Sequence, residues 1–174
     1  MKNIVFSILM VLLSVSGLTA QNFNTEIKDP KLNNRKVLVG YCNQEGLKSG
    51  VFGTYFQSQY ETYKPSDKYI EKLREKINLV DITIVFGTWC SDSRLQVGRF
   101  YKILDLSNYN DKNLKVIGVN SDKNAFTTNI DPLKIERVPT FIIYQHGEEL
   151  GRIVESPKKS LEKDLLKIVN RAKM

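Results

Sequence analysis

Two cysteines, Cys42 and Cys90, and one histidine, His146, are all the cysteine and histidine ligands in the 174 residues of this chain. A closed zinc site built from Cys and His takes four such ligands, so one copy of the chain cannot complete it. Two cysteines are also too few for the disulfide framework that holds small exported domains together. Neither a metal nor any other cofactor is expected, which leaves the cysteines thiol chemistry, one mutual disulfide or plain packing. Tryptophan occurs once, at Trp89, and proline five times, which excludes a proline-rich or low-complexity chain. Long apolar runs are missing too: the stretch from Ile4 to Leu13 falls short of the roughly 20 residues that a membrane-spanning helix needs.

That stretch follows Lys2 and leads into Gly17, Leu18, Thr19 and Ala20. A charged start, an apolar centre and a small residue before the polar Gln21 and Asn22 make the pattern of a secretory signal peptide cut after Ala20. No cysteine stands at the cut to carry a lipid. The expectation is a periplasmic or extracellular protein with no membrane anchor after cleavage. The chain is 41% apolar with eight Tyr and eight Phe, an ordinary composition for one folded core. Its formal charge of +7 does not gather into a stripe, because Lys163, Lys167 and Arg171 are interspersed with Glu162 and Asp164. No array of aromatic and basic residues accompanies them, so a nucleic-acid partner is not expected. Oligomeric state is left open.

Periodicity then organises the chain. After a polar lead-in over residues 21–35, the run Lys36, Val37, Leu38, Val39, Gly40, Tyr41 reads as a strand, with Cys42 directly behind it. Phe52, Tyr55, Phe56, Tyr60 and Tyr63 recur at the spacing of one helical face and are expected to pack inward. Lys64 and Pro65 end that helix, and Ser66 starts another with Tyr69, Ile70, Leu73 and Ile77 facing the core. Ile82, Thr83, Ile84, Val85 and Phe86 are β-branched and nearly all apolar, as in a central strand covered on both faces. A helix carrying Leu95, Phe100, Ile103 and Leu104 follows, then an apolar strand over residues 114–119. That strand, helix, strand succession predicts a parallel crossover. Val138, Pro139 and Thr140 lead to a strand over residues 141–144. Next come a surface turn containing His146 and Gly147, a returning strand over residues 150–154 and a closing amphipathic helix over residues 160–172.

Cys90 stands where the buried strand passes into the following helix. The unpaired N–H groups and dipole of a helix N-terminus favour a thiolate there and raise its nucleophilicity. Ser93, three residues on, is placed to donate a hydrogen bond to it. Cys90 and Arg94 lack the spacing of a phosphatase loop, and Thr88 lies two residues before the cysteine where a peroxidase pattern requires three.

The segment Phe86, Gly87, Thr88, Trp89, Cys90, Ser91, Asp92, Ser93 resembles the strand-to-helix active site of the thioredoxin family. Arg137, Val138, Pro139, Thr140 and Phe141 resemble that family's second hallmark, a cis-proline loop before a strand. Both occur in the family's order, and the likeness spans roughly residues 80–174. It implies an α/β thioredoxin fold, a central mixed sheet flanked by helices, with an N-terminal helical extension. The chain then divides into a signal peptide (1–20), an extension with a strand and the aromatic helix (21–65) and a thioredoxin-like domain (66–174). It also implies that Cys90 is the attacking thiol, that Trp89 shields it, and that the backbone of Val138 beside a cis Pro139 guides an extended substrate.

Two positions depart from the family pattern. Ser93 stands where the second, resolving cysteine belongs, which rules out a dithiol cycle within the motif. Ile84 stands where thioredoxins commonly carry a buried aspartate that assists proton transfer. A mixed disulfide on Cys90 must be resolved by an external thiol, by a second substrate cysteine as in isomerisation, or by Cys42, the chain's other thiol. The leading expectation is an exported monothiol oxidoreductase acting on protein or small-molecule thiols and disulfides. The alternative is a redox-inactive module that keeps the surface for binding peptides.

Overall fold

Strand-forming residues collect where periodicity places them, and once where it does not. The computed structural model describes residues 22–173; the expected signal peptide lies outside them. In chain order the elements are strands β1 (Thr25–Asp29) and β2 (Arg35–Tyr41), helices α1 (Gln44–Leu47), α2 (Gly50–Thr62) and α3 (Asp67–Arg74), strand β3 (Asp81–Phe86), helix α4 (Ser91–Leu106), strands β4 (Leu114–Gly118), β5 (Thr140–Gln145) and β6 (Glu148–Val154), and helix α5 (Leu161–Val169). The strands form one six-stranded mixed sheet in the order β1-β2-β4-β3-β5-β6. β3 and β4 run parallel, joined through α4 as expected. β2 lies antiparallel to β4, and β5 antiparallel to both β3 and β6.

Alternation along the strands splits the core. Ile82, Ile84 and Phe86 of β3 face a large cluster shared with Phe141 and Ile143 of β5 and with buried side chains of α2, α3, α4 and α5. Val85 points the other way, into a smaller cluster with Ile117, Val119, Ala125, Ile130 and Val138. That second face is covered by the chain between β4 and β5, and no α-helix lies in that connection. Phe100 of α4 stacks on Phe141 of β5 with ring centroids 4.2 Å apart, an offset aromatic contact that adds to the apolar burial.

The polar lead-in is corrected by the structure. Residues 25–29 form the edge strand β1, paired with β2 over residues 35–39. Only Ile27 among them is apolar, so no period of two could announce it. The aromatic helix packs against α4: a Cβ at Gly98 of α4 would stand 2.3 Å from the carbonyl oxygen of Phe56. Phe52 and Phe56 are buried, but Tyr55 remains 43% exposed, off the core face expected for it. Leu95 is likewise only half-buried. His146 and Gly147 form a two-residue hairpin turn, both at positive φ, the backbone that right-twisted strands favour.

Candidate functional site

β3 carries the chain to one end of the sheet and α4 carries it away, with Cys90 as the N-cap residue of α4 at φ −80° and ψ 131°. The Cys90 side chain does not cap this helix, and among the described residues no other side chain accepts its first-turn N–H groups. Cys90 is half-buried. As a thiol it donates to the Val138 carbonyl oxygen at 3.0 Å, and the Val138–Pro139 peptide bond is cis. The pairs Trp89–Cys90 and Val138–Pro139, distant in sequence from each other, are thus gathered at one end of the sheet.

Supporting contacts fix the loop before Cys90. Trp89 donates from Nε1 to the Val119 carbonyl at 2.9 Å, which ties the loop to the end of β4. A Cβ at Gly87 would lie 2.6 Å from that nitrogen, so the indole can fold back only over a glycine. Arg94 donates from Nε to the Thr88 carbonyl at 2.9 Å, and its guanidinium sits 5.0 Å over the Tyr55 ring. That contact explains the exposed Tyr55, which serves as a cation platform. Sequence reasoning missed the roles of Arg94 and Val119. Arg94 lies at i+4 from Cys90 on the first turn of a helix, which was a usable signal; Val119 contributes only its backbone and left none.

Ser93 is fully buried, and its hydroxyl accepts the Gly87 N–H at 3.2 Å. The side chain braces the loop from beneath, where donation to the Cys90 sulfur was expected. Ile84 is completely buried in the larger cluster, opposite Phe141. Cys42 is 4% exposed and belongs to that same cluster, whereas Cys90 packs against the other one. The Cys42 thiol donates to the Gly40 carbonyl at 3.5 Å, and burial, partly offset by backbone N–H groups, pushes it up to about 11. Both cysteines are free thiols. The structure brings Trp89, Cys90, Ser93, Val138 and Pro139 together and leaves Cys42 in a different part of the core. Among the described residues no three His, Cys, Asp or Glu side chains gather as a metal site.

No family model matches the chain, and no curated protein is recognisably similar. Solved structures of similar shape include a protein of unknown function from Pseudomonas aeruginosa, 17% identical, covering 70% of this chain and 82% of that one at a TM-score of 0.49. Thioredoxin from Fasciola hepatica is 17% identical over 59% of this chain and 89% of its own, TM-score 0.38. Oxidised mitochondrial thioredoxin 3 from Saccharomyces cerevisiae is 15% identical over 65% and 98%, TM-score 0.38. From β3 to α5, the parallel β3-α4-β4 unit, the cis-proline loop and the β5-β6 hairpin followed by a helix give the chain an α/β thioredoxin fold.

Proposed function

We propose that this is an exported thioredoxin-like oxidoreductase of the monothiol type. The observation that supports it is the sulfur of half-buried Cys90 at the start of α4, 3.0 Å from the carbonyl that precedes cis Pro139. Helix N-terminal N–H groups stabilise negative charge on sulfur, so the site suits a nucleophilic thiolate. The Cys90 thiolate attacks one sulfur of a protein or small-molecule disulfide, a mixed disulfide forms, and the other sulfur departs as a thiolate that takes up a proton from water. An external thiol, or a second substrate cysteine in isomerisation, then attacks the mixed disulfide and frees Cys90.

A second reading, a redox-inactive peptide-binding module, draws on two contacts. The thiol proton is already engaged by Val138, and the Ser93 hydroxyl is turned to Gly87. Exchange with a disulfide-bonded peptide separates the two. The oxidoreductase forms a covalent adduct with the peptide at Cys90, visible as a mass increase that reductant reverses and that Cys90→Ser abolishes. If the peptide binds equally to Cys90→Ser and no adduct forms on the wild type, the binding module is the better account.

A further inference from the structure

A cavity of about 690 Å³ opens between the start of β2, the N-terminus of α2 and the Thr88–Arg94 side of the loop. Its floor is apolar, with Leu38 and Phe52, and the exposed Val51 stands at its wall. Its charge is positive. Arg35 and Arg94 line it and form no ion pair among the described residues; Lys36 is balanced by Glu26 at 2.9 Å. Arg94 spends only Nε on the Thr88 carbonyl, which leaves its two terminal nitrogens for a ligand. The thirteen-residue α2 begins here without a side-chain cap, because the Ser49 hydroxyl donates instead to the Gly46 carbonyl at 2.8 Å. Thr88, 9% exposed, is also a lining residue, although its hydroxyl oxygen is buried beneath the surface and has no hydrogen-bond partner among the described residues. An unbalanced cationic wall beside an uncapped helix start suits an anionic ligand.

We propose that this cavity binds a carboxylate carried on an apolar body. The volume falls in the range of small-molecule sites and far exceeds what a lone inorganic anion fills. The two arginines and the first-turn N–H groups of α2 would take the carboxylate, and Leu38, Phe52 and Val51 the apolar part. A free organic acid and the C-terminus of a peptide offer the same chemistry. The site does not depend on turnover at Cys90.

The test is a titration of the isotope-labelled protein with octanoate, octanamide, inorganic phosphate and a short peptide ending in a free Phe carboxylate, followed by backbone amide signals. Octanoate or the peptide is expected to bind saturably and to shift Val51, Phe52, Thr88 and Arg94; the tighter of the two identifies the source. Octanamide should bind about tenfold more weakly, since it lacks the charge that the arginines recognise. Arg35→Gln, whose side chain makes no hydrogen bond among the described residues, should weaken octanoate by a similar factor with the spectrum otherwise unchanged. Cys90→Ser should bind as the wild type does, so a failure of the thiol chemistry leaves this site standing. Equal affinity for octanoate and octanamide, shifts gathered elsewhere, stronger binding of phosphate than of either carboxylate, or no saturable response would overturn the proposal.

Discussion

If Cys42 cannot reach Cys90, an aromatic disulfide reagent with a coloured leaving thiolate should release one equivalent per folded chain. Attack by Cys90 forms the protein–aryl mixed disulfide and expels the first thiolate. A second is expelled only if Cys42 also reacts, either directly with another reagent molecule or by attacking that mixed disulfide and closing a Cys42–Cys90 bond. With its thiol pushed up to about 11, Cys42 is ionised in about one chain per thousand at pH 8, against about a quarter for an unperturbed thiol. Ionisation alone therefore slows Cys42 some two-hundredfold, and its position in a different core cluster slows it further. The expected result is one equivalent from the wild type, one from Cys42→Ser and none from Cys90→Ser, with the aryl group retained on the protein in mass spectra. Denaturant should raise the wild-type count to two. A second equivalent from the folded wild type, absent from both single variants, would show that Cys42 resolves the adduct and would refute the argument from burial.

Four further outcomes follow from the same contacts. Trp89→Phe removes the Nε1–H donated to Val119 and should cost about 1 kcal/mol in chemical denaturation, together with faster alkylation of Cys90; unchanged stability and rate would show that the indole neither anchors nor shields the loop. Gly98→Ala places a methyl group against the Phe56 carbonyl and should destabilise by about 1–3 kcal/mol despite alanine's better helix propensity; a rise in melting temperature would mean that α2 gives way freely. Thr88→Val removes a buried, unpaired hydroxyl and should leave the ligand-free protein as stable or up to about 1 kcal/mol more stable, which thermal melts can read. Burial pushes the Glu162 carboxyl up, but hydrogen bonds from Tyr63 at 2.7 Å and the Ser66 N–H at 3.4 Å outweigh it and hold the carboxyl below its usual range. Its stabilisation is therefore present above about pH 4.3, the ordinary glutamate value, and is lost as pH falls through the lower folded value. Glu162→Gln should flatten acid denaturation in that window, and an unaltered slope in stability against pH would contradict this.

The β3-α4-β4 unit, the hairpin and the closing helix were legible because their residues repeat at periods that the backbone imposes. β1 was not, since a five-residue edge strand with a single apolar side chain is specified by its partner and not by its own pattern. Tyr55 misled for a related reason. Helical spacing placed it with Phe52 and Phe56, but a wide aromatic stripe also covers the flank of a helix, and there Arg94 claimed it. Of the site, Cys90, Trp89 and the proline loop could be read from paired motifs; the partner of Ser93 could not, because a hydroxyl at this position can turn to the thiol or to the backbone with equal ease in sequence terms. The cationic cavity was invisible for the opposite reason: its wall is assembled from β2, α2, the loop before α4 and the first turn of α4, and no contiguous segment carries its charge.

Under the proposed function, serine at position 93 and isoleucine at position 84 act on one step and not on two. Resolution within the motif would need a second thiol and a group to manage its proton. Here the first is replaced by a hydroxyl that already accepts a backbone N–H, and the second by an apolar side chain packed with no exposed surface. In the proposed mechanism neither change touches the attack by Cys90, which would depend on the uncapped start of α4 and on access between Trp89 and Val138. Restoring a thiol alone, with Ser93→Cys, should therefore close a disulfide between Cys90 and the introduced sulfur slowly, while adding Ile84→Asp places a carboxyl in the apolar core where an unpaired charge costs several kcal/mol. The single variant is expected to release the second aryl thiolate, and the double variant to melt well below it before any gain in rate appears. If the double variant instead exchanges faster with no loss of stability, water or a polar partner reaches Ile84 and the packing argument for a committed monothiol site fails.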